Sequence, residues 1–322
     1  MTLQVAIGVV SFERAKVTRH CIESIAACTP ADRYRLYLVD NGSRSADVVQ
    51  LLQWCRQRPE IIVQVLDTNY GPAHARNCIL QMIGTSADVV VFLDNDIIAL
   101  EGWLQAGLAA LEAGADLVQP KLLHRDGRTV ERGPTRVRAD PLAANPEYLG
   151  IGLDTDDPLV NLAGEAAIVG TAGIARRDVF DKVGVYDARL HIGEDFDLSY
   201  RARAAGLRLR YAPECALIHD HGFDLAYDQE RGRLEKYLTA HVVFWRKHQK
   251  ALLSPRYLQW YAWLHAHGEP MYMPLTQRWR TVARRLRRRW VRRWCMMRYP
   301  NHWQSLDRAE AATQALAHRL GI

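Results

Sequence analysis

The sequence predicts an α/β fold with a mostly parallel sheet flanked by helices, and three observations support this. An apolar strand, a polar loop and an amphipathic helix alternate four times in the first hundred residues, which is typical of parallel β-α units. Residues 89–96, VVVFLDND, begin with an apolar, mostly β-branched run that suits a strand buried on both faces. Polar or acidic residues follow each predicted strand, at the sheet edge where open α/β folds bind ligands.

Length and composition bound the architecture. A chain of 322 residues can bury a large core, and we expect one sheet domain over residues 1–230 followed by a helical extension over 231–322. The six cysteines are scattered without a C-x-x-C pair, which favours neither a disulfide framework nor a zinc site. Because there is no basic leader, no cleavage site and no apolar run of about twenty residues, we expect a cytoplasmic protein without a membrane span.

The positive charge is concentrated near the C-terminus. The net charge is +6, and residues 278–298 contain ten arginines and no acidic residue. Since the chain has 42 basic side chains in all, the rest carries 32 of them against 36 acidic ones, a net charge of −4. The basic character therefore belongs to one segment and not to the predicted sheet domain.

The first half alternates strands and helices. Predicted strands cover residues 3–10, 36–39 and 61–66, and predicted helices cover residues 15–28 and 46–55, with a third helix beginning at Pro72. The second strand runs into Asp40-Asn41-Gly42-Ser43, where a carboxylate lies at a strand end and the glycine lets a ligand approach the backbone. Taken alone, these residues are more typical of an ordinary strand-to-helix turn.

Two further loops carry groups suited to a diphosphate. Arg76, one turn into the third helix, can reach a phosphate beside the next strand, although a surface arginine is the ordinary alternative. Asp94 and Asp96 place two carboxylates at the end of that strand, which suits Mg²⁺ or Mn²⁺ bound to phosphate oxygens. An acidic turn that caps the strand is the alternative. The first loop, GVVSFERAK, lacks the G-x-G-x-x-G of dinucleotide-binding folds, which argues against a NAD enzyme.

The second half is less regular. It contains a predicted helix over 103–112, a strand over 116–120, a hairpin over 121–130 and a short helix over 177–183. Residues 138–158 are rich in Asp, Pro and Gly without periodicity, and they predict a mobile loop over the site. Residues 166–176 predict a strand whose small middle residues, Gly170, Thr171 and Ala172, leave space for an acceptor or a sugar.

Residues 193–206 carry the most specific pattern in the chain, G-E-D-x-D-L-x-x-R-x-x-x-x-G. Glu194, Asp195 and Asp197 open a helix, whose positive end stabilises acidic side chains. Helix capping is therefore a structural explanation for all three. It competes with a catalytic role more strongly for Glu194 and Asp197 than for Asp195.

These motifs, in this order, resemble those of the family two glycosyltransferases, which have the GT-A fold. The resemblance covers about residues 3–250. It implies a mixed, mostly parallel sheet with a Rossmann-like, nucleotide-sugar-binding half over 1–120 and an acceptor half over 121–230. It also implies residues that contact the donor: Ser11, Glu13 and Asp40 at the base, Asn69, Gly71 and Arg76 near the base and diphosphate, and Asp94 and Asn95 at the ribose.

The same resemblance makes Asp195 the general base, with Glu194 beside it. Inverting sugar transfer needs a base that deprotonates the acceptor as it attacks the anomeric carbon, and a carboxylate at a rigid helix start can hold that position. A metal at Asp94 and Asp96 would neutralise the charge that develops on the nucleoside diphosphate. A retaining reaction would require another role for Asp195, and the sequence leaves this open.

His219 and His221 are candidate metal ligands after a strand predicted over 215–218. Some family members have a metal-binding histidine downstream of the catalytic aspartate, and both residues fit that position. An imidazole suits Mn²⁺ better than Mg²⁺. His219 is the stronger candidate, and a purely structural histidine is the alternative.

Tryptophans at helical spacing lie among the arginines of residues 276–298. Such a helix is typical of an interfacial membrane anchor, with rings at the headgroups and arginines on anionic lipid. A solvated helix that packs on the sheet domain is an equal alternative. No nucleic-acid module accompanies the arginines, so we expect no nucleic-acid partner.

Residues and resemblance together predict a metal-dependent, inverting glycosyltransferase that uses Mn²⁺ or Mg²⁺. The donor is a nucleoside-diphosphate sugar, and Asp40 beside the base favours UDP or dTDP. The acceptor is a growing glycan or a lipid-linked saccharide, if the arginine-rich helix binds the inner face of the cell membrane. Alternatives are transfer to a peptide or protein, and a non-catalytic scaffold that binds lipid or nucleic acid. The intact Asp94, Asp96 and Asp195 argue against the scaffold.

Overall fold

A computed structural model of the chain describes residues 3–137 and 146–220, together with residues 240, 243, 244, 247 and 248. By its internal contacts the chain divides into two compact units, residues 1–138 with 146–222 and residues 139–145 with 223–322. In the second unit, the rings of Phe244 and His248 lie 4.6 Å apart. The arginine-rich segment 276–298 lies outside the described residues, and so does His221.

Four parallel strands form the first half of the sheet. They are β1 (Val5–Ser11), β2 (Tyr34–Asp40), β3 (Ile61–Val65) and β4 (Val89–Asp94), and they pair in the order β3-β2-β1-β4. The helices between them are α1 (Ala15–Cys28), α2 (Ala46–Arg56) and α3 (Pro72–Ile83). The helix predicted to begin at Pro72 does begin there, because its proline occupies the first turn, where no N–H is needed.

Strand β4 is buried on both faces, as its composition predicts. Val89, Val91 and Leu93 belong to a core with residues of α1 and α2. Val90 and Phe92 point to a second core on the opposite face, with residues of α3. This central strand therefore anchors the acidic turn that follows it.

The second half of the described fold mixes strand directions. Its elements are β5 (Ile97–Ala99), α4 (Trp103–Glu112), β6 (Leu117–Leu123), β7 (Val130–Arg132), β8 (Thr135–Val137), β9 (Pro146–Tyr148), β10 (Gly164–Glu165), β11 (Ala172–Arg176), α5 (Val179–Val183), α6 (Glu194–Ala204) and β12 (Leu209–His219). The main sheet runs in the order β10-β12-β6-β11-β4-β1-β2-β3, with β5 and β7 paired to β12 and β6. Because β11 is antiparallel to β4 and β6, the sheet is mixed and mostly parallel, which confirms the predicted fold class.

The strand predicted over residues 166–176 is shorter than expected, since β11 begins at Ala172. The N–H groups of residues 167, 169 and 170 donate to the side chains of Thr135, Ser199 and Gln119. Thr171 has a φ of 61°, in the left-handed region that extended strands do not use. Side-chain acceptors thus replace the strand ladder in this segment, and periodicity does not reveal such acceptors.

Strand β12 is longer than the predicted 215–218, because it starts at Leu209. Its pairing with β6 shifts register between Ala212 and Ala216. The shifted stretch includes Pro213, which has no N–H to donate to a ladder, so a bulge accommodates it. The strand continues past this bulge to His219, at the edge where β4 ends.

The aperiodic segment predicted as a loop is only partly described. Residues 138–145 lie outside the described residues, β9 lies within the rest, and a 3₁₀ turn over Pro158–Asn161 begins at the last residue of the segment. Lys121 is buried beneath the segment and donates to the Thr155 carbonyl (3.3 Å) and to Asn161 Oδ1 (2.8 Å). The mobility of residues 138–158 stays a prediction.

Candidate active site

The predicted strand-end residues meet at one edge of the sheet. Ser11 lies opposite Asp40 in the β1-β2 pair, and Val10 lies opposite Asp94 in the β1-β4 pair. Parallel strands bring their carboxyl ends together. The residues predicted from three separate loops are therefore neighbours.

Ser11 and Glu13 organise the loop after β1. The Ser11 hydroxyl is buried and shares a hydrogen bond with Thr18 Oγ1 at 2.9 Å. Glu13 accepts hydrogen bonds from the N–H groups of Arg44 (2.8 Å) and Ser45 (3.3 Å) at the start of α2. Hydrogen bonds from Ser45 and Arg44 lower the Glu13 pKa. Glu13 thus caps α2 from another loop, and its contact with a base stays a prediction.

Asp40 and Asn41 hold the loops at the end of β2. Asp40 is buried, and its two oxygens accept hydrogen bonds from the Ser43 hydroxyl and N–H. Asn41, which the sequence did not single out, donates to Asn69 Oδ1 (3.0 Å) and accepts from the Tyr70 N–H (3.0 Å). Asn69 and Asn41 thereby tie the loop before α3 to β2.

Gly71 leads into α3 with a φ of 85°. A Cβ at this position would lie 2.5 Å from His191 Nδ1, so only glycine fits between the two loops. Asn77, which follows Arg76 on α3, exchanges two hydrogen bonds with the Tyr186 backbone, at 2.8 and 3.0 Å. Asn77 thus joins α3 to the chain that precedes α6.

Arg76 is the cation at the centre of the site, and its side chain is only 5% exposed. One terminal nitrogen donates to Asp94 Oδ1 at 2.8 Å, and the other donates to Glu194 Oε1. Its guanidinium also lies 5.5 Å from the centre of the Tyr186 ring. Burial opposes the charge, but Glu194 and Asp94 outweigh it and raise the Arg76 pKa.

A second cluster surrounds Asp96 and His219, which are both buried. His219 Nε2 lies 3.2 Å from Asp96 Oδ1, and Nδ1 lies 3.0 Å from Glu131 Oε2. Arg14 Nη1 donates to Asp96 Oδ2 at 3.1 Å. Burial alone would lower the His219 pKa, but hydrogen bonds to Asp96 and Glu131 raise it to about 9.

Three of the predicted metal ligands form one donor set. Single ligand atoms of Asp94, Asp96 and His219 all lie within 4.8 Å of one another. Two carboxylate oxygens and one imidazole nitrogen suit a divalent transition ion such as Mn²⁺. Asn95, which is predicted at the ribose and not at the metal, donates its side-chain N–H to Thr18 Oγ1 at 2.9 Å, and its contact with a ribose stays a prediction. The residues present therefore fit a divalent metal.

Glu194 and Asp195 open α6 after Gly193, whose φ is 79°. Glu194 is buried, and burial raises its pKa to about 7 although Arg76 opposes the shift. Burial also raises the Asp195 pKa, against the charges of Arg76 and Arg132. Asp195 Oδ1 accepts the Phe196 N–H at 2.8 Å, and Oδ2 lies against Gly170.

Asp197, from the same motif, has a different role. Its side chain is fully buried and pairs with Arg201 Nε at 2.9 Å, one turn along α6. Arg201 in turn donates to the carbonyl oxygens of Gly184 (3.1 Å) and Val185 (2.8 Å). This pair joins α6 to the loop after α5, so the structural explanation holds for Asp197.

Of the three predicted acceptor-side residues, Gly170 and Thr171 line a small cavity beside Asp195 and Arg76. A Cβ at Gly170 would lie 2.0 Å from Asp195 Oδ2, so the glycine makes room for this carboxylate. The Thr171 hydroxyl accepts a hydrogen bond from Arg132. Ala172 is fully buried within β11 and does not line the cavity.

In this mixed sheet, the acidic end of β4 lies beside the carboxylates that open α6. This arrangement is that of the GT-A class of glycosyltransferase folds. The chain belongs to glycosyl transferase family 2, whose sequence profile matches residues 6–184. Among the described residues, no helix has the length and apolar character that crossing a membrane requires.

One curated relative is named as a glycosyltransferase and another as an O-antigen biosynthesis protein. A pre-mycofactocin glycosyltransferase of Mycobacterium tuberculosis is 31% identical over 191 residues, which cover 58% of this chain and 37% of the relative. The O-antigen biosynthesis protein RfbC of Myxococcus xanthus is 25% identical over 286 residues, which cover 85% of this chain and 20% of the relative. The chain thus spans well under half the length of either relative.

Solved structures share the fold. GalNAc-T7 with UDP, GalNAc and Mn²⁺ has a TM-score of 0.57 at 16% identity, covering 69% of this chain and 44% of that chain. S. aureus TarS 1-349 in complex with UDP-GlcNAc has a TM-score of 0.56 at 15% identity, covering 83% and 72%. At these identities the likeness shows the fold alone.

Proposed function

We propose that the protein is an inverting glycosyltransferase that moves a sugar from a nucleoside diphosphate to an acceptor hydroxyl. The observation that carries the proposal is the position of Arg76, which binds Asp94 with one nitrogen and Glu194 with the other. Because Arg76 contacts both residues, the end of β4, which is suited to a diphosphate, lies beside the start of α6. Asp195 is therefore within the same site as the predicted donor-binding residues.

Asp195 is the proposed general base. Its carboxylate takes the proton of the acceptor hydroxyl while the hydroxyl oxygen bonds to the anomeric carbon and the bond from that carbon to the diphosphate breaks. Burial raises the Asp195 pKa, which makes the carboxylate a stronger base than one in water. Attack opposite the leaving group inverts the anomeric carbon.

The proposed metal ligands are Asp94, Asp96 and His219. When bound, a divalent metal supplies positive charge that stabilises the departing diphosphate. The imidazole favours Mn²⁺ over Mg²⁺, which prefers oxygen ligands in a near-ideal octahedron. Burial of Asp96 and His219 keeps both ligands in place before the donor arrives.

The proposed donor is a UDP-sugar, with dTDP as the alternative. Two solved structures with this fold contain UDP or UDP-GlcNAc. Asp40 at the end of β2, whose oxygens accept hydrogen bonds from Ser43 in this structure, is the proposed acceptor for the imide N–H that uracil and thymine share. Thermal unfolding with UDP, dTDP, GDP, CDP and ADP, each with and without Mn²⁺, tests this, because a ligand of the native state raises Tm. No shift with any nucleotide would contradict the proposal.

The catalytic role is tested with Asp195→Asn. We expect transfer to fall by about 10²–10⁴-fold, the usual contribution of a general base, while UDP with Mn²⁺ still raises Tm as in the parent protein. The control is Asp178→Asn, which removes an exposed carboxylate from the start of the neighbouring α5. Near-parent turnover of Asp195→Asn would rule out this base.

The proposed acceptor is a glycan or a lipid-linked saccharide, and the name of the O-antigen biosynthesis protein RfbC supports a saccharide. A peptide or protein acceptor is the alternative. Radiolabelled UDP-sugars offered with oligosaccharides, lipid-linked oligosaccharides and soluble peptides separate the two. Label in peptides alone would overturn the saccharide proposal.

Residues 276–298 are proposed to hold the protein on an anionic membrane surface. Glutamine in place of the arginines from Arg284 to Arg293 should release the protein from phosphatidylserine vesicles, because each arginine near the surface adds about 1 kcal/mol. Hydrolysis of the donor should not change. Parent protein that does not sediment with these vesicles would defeat the membrane proposal.

A further inference from the structure

Glu131 belongs to no sequence motif, yet it contacts a predicted metal ligand. Its two carboxylate oxygens lie 3.1 and 3.0 Å from His219 Nδ1. The other ring nitrogen of His219, Nε2, faces Asp96. The side chains of Glu131 and His219 are 11% and 3% exposed, so water does not compete freely for this contact.

The backbone of β7 orients the Glu131 side chain toward His219. In the β6-β7 pair, Leu122 lies opposite Arg132 and Leu123 lies opposite Val130, so Glu131 is an extra residue in a bulge. On the other side of β6, Leu123 pairs with Ile218, the neighbour of His219. Bulges beside active sites commonly redirect a side chain. The bulge and the register place Glu131 and His219 at one level of the sheet.

We infer that Glu131 is a positioning residue of the metal centre. It accepts the Nδ1 proton of His219 and so directs the Nε2 lone pair toward a cation shared with Asp94 and Asp96. An imidazole that binds a metal through one nitrogen needs an acceptor for the N–H of the other, and a carboxylate is a common partner. The inference rests on the proposed function, since it requires a metal at these ligands.

An ion pair that only stabilises the fold is the competing explanation. Such a pair would change the stability of the protein without changing how His219 binds a metal. Metal affinity and the spectrum of the bound metal therefore separate the two explanations. Transfer activity does not, because both explanations lower it.

The first measurement is the affinity for Mn²⁺ alone, from the electron paramagnetic resonance signal of free Mn²⁺. Glu131→Gln keeps the shape and weakens the acceptor, whereas Glu131→Ala removes it. We expect a loss of affinity of about 10-fold for Gln and about 100-fold for Ala, the range for residues that orient a metal ligand. Glu214→Gln, an exposed carboxylate on the same strand as His219, should bind Mn²⁺ like the parent.

The second measurement is the nitrogen coupling in the pulsed electron paramagnetic resonance spectrum of bound Mn²⁺. The parent should show one imidazole nitrogen, His219→Ala none, and Glu131→Ala a reduced or missing coupling. Parent-like affinity and coupling in Glu131→Ala would overturn the role of Glu131 while leaving the metal centre standing. A parent protein without Mn²⁺ binding would overturn the metal centre and the role of Glu131 together.

Discussion

Two charged bridges meet near the end of β4, and they differ in the cation at the centre. They are the arginine bridge, Asp94-Arg76-Glu194, and the histidine bridge, Asp96-His219-Glu131. Both cations are almost fully buried between two carboxylates. An arginine is always charged and has no lone pair for a metal, whereas an imidazole can release a proton and bind one. We therefore expect the first bridge to be a permanent scaffold, and the second to exchange a proton for a metal.

The largest expected effect is loss of the arginine bridge. Arg76→Met leaves Asp94 and the buried Glu194 without their cation, which should lower the free energy of unfolding by about 3–5 kcal/mol. Denaturant unfolding of both proteins at pH 7 measures this difference. The control Lys182→Met breaks an exposed pair with Asp178 and should cost less than about 1 kcal/mol. Equal losses for the two variants would show that Arg76 is no scaffold.

The histidine bridge should respond to metal, and the arginine bridge should not. At one hundred times its Kd, Mn²⁺ should stabilise the parent by about 2.7 kcal/mol through mass action. His219→Ala should lose this gain, because a ligand is gone, while its stability in EDTA is measured as the reference. If Mn²⁺ stabilised His219→Ala as much as the parent, the metal would bind at a site other than the histidine bridge.

The pH dependence of the free energy of unfolding should report the titration of Glu194 in the arginine bridge. Since the folded-state pKa of Glu194 is about 7, above its ordinary value of 4.5, the native state binds more protons than the unfolded state between these values. Stability from this group is therefore present below about pH 4.5 and declines as pH rises to about 7. Glu194→Gln cannot take up this proton, so its free energy of unfolding should not fall in the same way. Between pH 5 and pH 8, the difference between variant and parent should shift by about 1–3 kcal/mol in favour of the variant. Unfolding free energies at four pH values test this, and a constant difference would contradict it.

The smallest effect is expected at Arg14, the outer partner of Asp96 in the histidine bridge. Its side chain is 36% exposed, so the ion pair contributes less than about 1 kcal/mol to stability. Arg14→Ala removes a cation that competes for the Asp96 carboxylate and should tighten Mn²⁺ binding by a few-fold. Titration calorimetry with Mn²⁺ measures the change, and weaker binding would mean that Arg14 supports the metal centre.

Prediction from the sequence worked best where one segment contains its own signal. The apolar run of β4, the start of α3 at Pro72 and the acidic start of α6 all appear in the structure as predicted. The order of the motifs was enough to predict the family and the fold class, which the profile match and the sheet confirm. Prediction from the sequence failed over residues 166–171, where side chains distant in the chain accept hydrogen bonds from the N–H groups of residues 167, 169 and 170.

The sequence by itself determined which carboxylates follow the strands and that Arg76 lies near the start of α3. Strand and helix signals depend on neighbours a few residues apart, so one segment is enough to reveal them. Only the tertiary structure decided that Glu131 meets His219, 88 residues away, and that Arg76 reaches Glu194, 118 residues away. Pairing across the sheet and a bulge in β7 create the contact between Glu131 and His219, and the contact between Arg76 and Glu194 joins helices α3 and α6. A bulge of one residue redirects a side chain without changing the local pattern, so the residues that orient the site become visible only in the fold.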